Sequence, residues 1–136
     1  MASSLALYAK LLGLLVALTL IAGFNIAVWG LHRHPTAPAL YVPGANPQRG
    51  RVLIREKGCG ACHVVPGVRG AVGEVGPQLD RVKGQAYVAG ALPNNPQNLT
   101  LWITHPKQVD PRTAMPDLGI SEEDARDIAG YLYSLP

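Results

Sequence analysis

The sequence predicts an all-α protein: a single transmembrane helix, then a small, loop-heavy domain of about three to four short helices. Three observations carry this. From Leu11 to Leu31 the chain runs 21 residues, LLGLLVALTLIAGFNIAVWGL, without a charged side chain. Helix signals stand at both ends of the segment from about Arg49 to Pro136. Between them the chain is rich in glycine and proline, with no alternating apolar pattern of useful length. A chain of 136 residues holds at most one ordinary domain, and the apolar run shrinks the core available to the rest.

Residues 1–31 make the first unit. Coiled as a helix at about 1.5 Å per residue, the uncharged run covers roughly 30 Å of hydrocarbon, enough to sit in membrane lipid. Tyr8 and Trp29 fall at interfacial positions, where a ring is half apolar and half wet. Gly13, Ala17, Thr19, Gly23 and Ala27 are either tolerated small residues or a seat for another helix, to which Asn25 would add a hydrogen bond. The rival reading is a cleaved secretory signal, whose apolar region usually runs about 7 to 15 residues. This run is longer, and Ala37-Pro38-Ala39 carries a proline and lies beyond His32-Arg33-His34. The expectation is a retained anchor. The positive-inside rule taken alone puts the rest of the chain in the cytoplasm: only Lys10 and the terminal amine precede the helix, whereas Arg33, Arg49, Arg51, Arg55 and Lys57 follow it.

Residues 32–48 read as a linker, because Pro35, Pro38, Pro43 and Pro47 favour extended polyproline segments. At about 3.1 Å per residue it reaches roughly 50 Å. Leu40-Tyr41-Val42 interrupts it with an apolar patch that rests either on the domain or on a partner.

Residues 49–136 make the globular unit. Arg51 to Lys57 precedes Gly58 and reads as a short helix ended at a glycine. A second short helix is expected between Asn98 and His105, with Leu99, Leu101 and Trp102 as candidate core. Ser121 opens a capping box with Asp124, and Glu122, Glu123 and Asp124 suit the positive end of a helix dipole. Ile128, Leu132 and Leu135 then recur at helical spacing. So small and loop-rich a domain, about 90 residues, buries little apolar surface and is stable only with a staple.

The chemistry sits at Cys59-Gly60-Ala61-Cys62-His63, which holds the only two cysteines of the chain. Two thiols one helical turn apart can add to the two vinyl groups of one haem, and the next residue then lies under the iron as an axial ligand. A zinc site would need about two further ligands, with only His105 and the linker histidines remaining. A thioredoxin-like pair would want a β-α-β context, and a disulfide across so short a loop would constrain little of the unfolded chain. One covalent haem c is therefore the expectation.

For the other face of the iron, Met115 is the leading candidate and His105 the alternative. Apart from the initiator Met115 is the only methionine, and it sits in Pro111-Arg112-Thr113-Ala114-Met115-Pro116, just before the last helix. The bland reading is a methionine filling a core gap. A thioether ligand raises the potential, and with both axial positions filled oxygen cannot easily bind.

From about Gly50 onward the chain resembles a class I c-type cytochrome, especially the c domains attached to bacterial respiratory haem-copper oxidases. The motifs are Gly50 to Gly58 before the haem box, Gly76-Pro77-Gln78-Leu79 after it, Asn94-Asn95-Pro96-Gln97-Asn98-Leu99 with Trp102, Ala114-Met115-Pro116, and Ala129-Gly130-Tyr131-Leu132. The resemblance implies a small fold around one haem, thioethers at Cys59 and Cys62, and axial ligands at His63 and Met115. It implies that the Pro77 carbonyl accepts the proton of the other His63 nitrogen. Gly50 and Tyr131 match positions where the first and last helices cross closely. Tyr87, Arg81 and Trp102 are placed more loosely, at the haem edge or propionates, against ordinary core or surface roles. His105 departs from the pattern, which has an acidic or amide residue there.

Haem is joined to such proteins outside the cytoplasm, so the resemblance implies a single-pass protein of the bacterial inner membrane with its C-terminal domain on the periplasmic side. The implied role is one-electron transfer in a respiratory chain, between a quinol-oxidising complex and a terminal haem-copper oxidase. A haem enzyme or gas sensor with a labile sixth ligand is the alternative, and a haem-free anchored scaffold the third. Charge adds that residues 45–109 carry +5 and residues 110–136 carry −4. A basic rim of that kind steers an acidic redox partner over about 8 Å in physiological salt, or is ordinary solvated surface. Nothing resembles the aromatic-interleaved basic patches that bind nucleic acid.

Overall fold

The computed structural model describes the backbone of residues 2–31 and 41–136, and the side chains of these apart from 2–7, 9, 27 and 29–31. Most of the predicted linker, with Pro35, Pro38 and the His32-Arg33-His34 cluster, and the interfacial ring expected at Trp29 lie outside the described residues. The chain divides into two units, Met1–Thr36 and Ala37–Pro136.

The first unit is the helix α1, Ala2–Leu31. Its described apolar side chains are exposed, as at Leu20, Phe24 and Ile26, except Val28, which is half-buried. Thr19 donates to the Val16 carbonyl and the Asn25 amide to the Ile21 carbonyl, each over 2.8 Å. Among the described residues no helix is long and apolar enough to cross a membrane, so the span expected over Leu11–Leu31 rests on the sequence.

The second unit contains α2 (Pro47–Glu56), a hairpin of β1 (Tyr87–Val88) and β2 (Leu92–Pro93), α3 (Pro96–Thr104), the single turn α4 (Pro106–Val109) and α5 (Glu122–Ser134). Tight 3-10 turns at Cys59–Ala61 and Val82–Gly84 interrupt the loops. Helix α5 packs against both α2 and α3. Its Ile128, Leu132 and Leu135 are buried as their spacing predicts, together with Leu53, Ile54, Leu99, Ile103 and Ile120.

Helix α2 starts four residues before Arg51, inside the stretch that reads as linker. Asn46 caps it, accepting from the Arg49 N–H over 3.1 Å, and Pro47 takes the first helical position, where a missing N–H costs nothing. Val42 is 4% exposed, so the apolar patch rests on the domain through this residue, while Tyr41 faces solvent. The same asparagine–proline device starts α3: Asn95 accepts from Asn98 N–H over 2.8 Å, with Pro96 next. Of its expected core residues Leu99 is buried, whereas Leu101 and Trp102 are half-buried; Ile103 is buried beside them in sequence.

Only half of the capping box forms at α5. Ser121 Oγ accepts from the Asp124 N–H over 3.1 Å, but the Asp124 carboxylate pairs with Arg49. Arg49 Nη1 also donates over 2.5 Å to Asp127, a buried carboxylate whose other oxygen accepts from the Asn46 N–H over 2.7 Å. Here α2 and α5 cross with almost no gap. A Cβ at Gly50 would lie 2.0 Å from the Asp127 carbonyl oxygen, so only glycine fits. Tyr131, placed by resemblance at the same crossing, is half-buried, and its hydroxyl donates to the Pro66 carbonyl over 2.6 Å.

Candidate haem-binding site

Helix α2 stops at Glu56, and Gly58, with φ of 74°, turns the chain into the Cys59–Ala61 turn. The N–H groups of Cys62 and His63 both donate to the Cys59 carbonyl, over 3.2 and 3.0 Å. This tight winding brings Cys59, Cys62 and His63 together on the lining of a cleft of about 640 Å³. Met115, half-buried on the loop between α4 and α5, lines the same cleft, as do Pro77, Tyr87 and Trp102. The remainder is mostly apolar, with Ile54, Leu99, Ile103, Ile128 and Leu132 turned into it. Both the volume and the lining suit an organic cofactor.

The His63 ring is held from two sides. Its Nδ1 lies 2.7 Å from the Pro77 carbonyl oxygen, an acceptor only, so in the neutral ring Nδ1–H donates and the Nε2 lone pair is left for a metal. On the other side Gly76 lies flat against the imidazole: a Cβ there would sit 2.3 Å from Cε1. Gly76 N–H donates to the Cys62 carbonyl over 2.8 Å and Leu79 N–H to the Val64 carbonyl over 2.9 Å, which fastens this segment to the cysteine loop. The role of Gly76 was not read from the sequence, although a glycine directly before the acceptor proline was the signal for it. Burial pushes the Cys59 thiol above its usual pKa.

Two sequence candidates lie elsewhere. Arg81 is exposed, 3.5 Å from Asp80, and is not on the cleft. His105, the alternative ligand, borders a separate groove with Leu101, Ile120, Glu122 and Arg126, and its backbone N–H closes α3 on the Leu101 carbonyl over 2.8 Å. It does not line the cleft that His63 and Met115 share.

A further residue organises the lining. Asn94 gives its amide hydrogens to the carbonyls of Val82 and Gln85, over 2.6 and 2.8 Å, and its oxygen accepts from the Tyr133 hydroxyl over 2.7 Å. Its motif marked it by resemblance without saying what it does; the bonds join segments far apart in the chain.

The residues present fit a covalently bound haem: paired thiols, an imidazole oriented by a carbonyl with a glycine leaving it room, and a thioether on one apolar cleft. The family model for cytochrome c matches residues 47–136, from the first residue of α2 to the last residue given. A cytochrome c oxidase subunit 2 from Alkalihalophilus pseudofirmus is 38% identical over 90 residues, covering 64% of this chain and 25% of that relative. The chain thus matches only a quarter of the relative's length. Because the family match takes in every cleft-lining residue named above, this chain belongs to the cytochrome c family, which implies haem c as its cofactor.

Proposed function

We propose that the protein is a membrane-anchored monohaem cytochrome c that passes single electrons in a respiratory chain, as a subunit or tethered donor between a quinol-oxidising complex and a terminal haem-copper oxidase. The observation that carries this reading is the meeting of the Cys59–His63 box and Met115 on one cleft. With only two cysteines in the chain, one haem is held. Cys59 and Cys62 would hold it through thioether bonds, and His63 and Met115 would ligate its iron. Bound haem supplies a one-electron iron couple, whose potential axial-ligand identity and burial set.

The chain's own residues do the rest. The Pro77 carbonyl orients His63 and makes its Nε2 a better donor. Met115 as a second ligand would leave no open position for dioxygen, which favours electron transfer over catalysis. Leu99, Ile103, Ile128 and Leu132 keep water from the cleft floor. The uncharged run Leu11–Leu31 and the helical course of Ala2–Leu31 support the anchor. The oxidase partner is supported by the similarity to a cytochrome c oxidase subunit 2. Attachment of haem outside the cytoplasm supports a periplasmic domain on the bacterial inner membrane, against the basic residues that follow the helix.

Haem staining that survives a denaturing, reducing gel tests the covalent site; its absence would leave a haem-free scaffold. Carbon monoxide added to the reduced protein tests the closed sixth position: slow, partial binding is expected, and rapid stoichiometric binding at neutral pH would favour the gas-sensor or enzyme reading. Purification in mild detergent should bring oxidase or quinol-oxidising subunits with it, and a lone monomer would count against the subunit role.

A further inference from the structure

We infer that Thr113 is the positioning residue for Met115, fixing the methionine backbone so that its thioether stays aimed into the cleft; this rests on reading Met115 as the axial ligand. Residues 110–121 between α4 and α5 contain no helix or strand, and such a segment is costly to order. A ligand carried on it competes with outside ligands only as well as the loop is held in place, since pre-organisation sets how often it meets the iron.

Thr113 is held at three points. Its N–H donates to the Asp110 carbonyl over 3.1 Å, its carbonyl accepts from the Lys107 ammonium, and its hydroxyl oxygen accepts from the Met115 N–H over 3.1 Å. Asp110 is anchored in turn: its N–H donates to the Pro106 carbonyl over 2.9 Å, and its carboxylate accepts from Arg112 N–H over 3.0 Å and Arg112 Nε over 3.3 Å. The backbone N–H of Arg112, foremost, and then its guanidinium hold the Asp110 carboxyl below the usual carboxylate range, so the anchor stays ionised at neutral pH. Thr113 therefore ties Met115 to α4. Its β-branch leaves few rotamers, which keeps the hydroxyl where the Met115 N–H meets it.

The test uses the full-length holoprotein. Thr113→Val removes the hydroxyl at nearly constant shape, and Thr113→Ser keeps it. The valine variant should bind carbon monoxide in the reduced state about fivefold faster than wild type, the factor one net hydrogen bond represents. It should also weaken the long-wavelength thioether-to-ferric-iron absorption and lower the midpoint potential, while serine restores all three. Lys107→Met, an exposed change that leaves folding intact, should move carbon monoxide binding the same way by about twofold. Valine and methionine variants indistinguishable from wild type in rate and spectrum would overturn the positioning role. A wild type that itself lacks the thioether band and binds carbon monoxide at once would overturn both this inference and the ligand reading beneath it.

Discussion

The Tyr133 hydroxyl donates to Asn94 Oδ1 over 2.7 Å from a ring only 4% exposed, and the same asparagine holds the Val82 and Gln85 carbonyls. One amide thus joins the last helix to the cleft segment that carries Gln85 and Tyr87. Burial pushes the phenol's pKa up to about 12. The folded value exceeds the unfolded one, near 10, so this contribution is complete below about pH 10 and is lost as pH rises through 12. Stability to urea should fall by about 2–3 kcal/mol across that window. Tyr133→Phe should start about 1 kcal/mol lower and lack the limb. Equal slopes above pH 10 in both proteins would remove Tyr133 as the cause.

Gly76→Ala should disturb the haem site more than the fold. The new methyl falls 2.3 Å from His63 Cε1, so the imidazole must rotate or withdraw, at a cost of about 1–3 kcal/mol. The expected outcome is altered haem absorption and a shifted midpoint potential. An alanine variant with an unchanged spectrum and potential would show that the ring has room to spare.

Gly50→Ala makes the opposite case. Its methyl meets the Asp127 carbonyl at 2.0 Å, backbone against backbone, where neither helix can yield cheaply. Overpacking of this kind costs about 1–3 kcal/mol or more. Chemical denaturation should report that loss, with the potential of the surviving folded fraction close to wild type.

Asp127→Ala removes a buried carboxylate and leaves the Asn46 N–H without its acceptor. Charged hydrogen bonds of this sort contribute about 1.5–3 kcal/mol, and unfolding should show a loss of that size. Asp127→Asn, which keeps an oxygen for Asn46, should lose less. Raising the salt should affect Glu123, the exposed outer partner of Arg49, far more than Asp127, whose side chain is 6% exposed.

What the sequence made legible were features fixed by neighbours along the chain. The Cys59–His63 box, the Ser121 cap and the buried stripe Ile128, Leu132 and Leu135 are of this kind. Asn46-Pro47 was equally local, a cap followed by a first-turn proline, but the prolines upstream made the whole stretch look like linker. The hairpin Tyr87–Val88 with Leu92–Pro93 has two residues per strand, too few for any alternation. Other features needed the folded chain. Asp124 leaves its box for Arg49, 75 residues away, and the Tyr131 hydroxyl bonds to Pro66, 65 residues away. Gly76 gains its meaning only from a ring that arrives from another segment.

The contacts of Asn46 and Arg49 with Asp127 span 81 and 78 residues, nearly the whole domain. Closing so large a loop is slow compared with forming a helix or a tight turn, so α5 docks after the local elements form. Until it docks, Ile128 and Leu132 are missing from the cleft and the thiols of Cys59 and Cys62 stand on an open chain. The topology therefore couples long-range closure of the domain to completion of the cleft, which is whole only once α5 has docked.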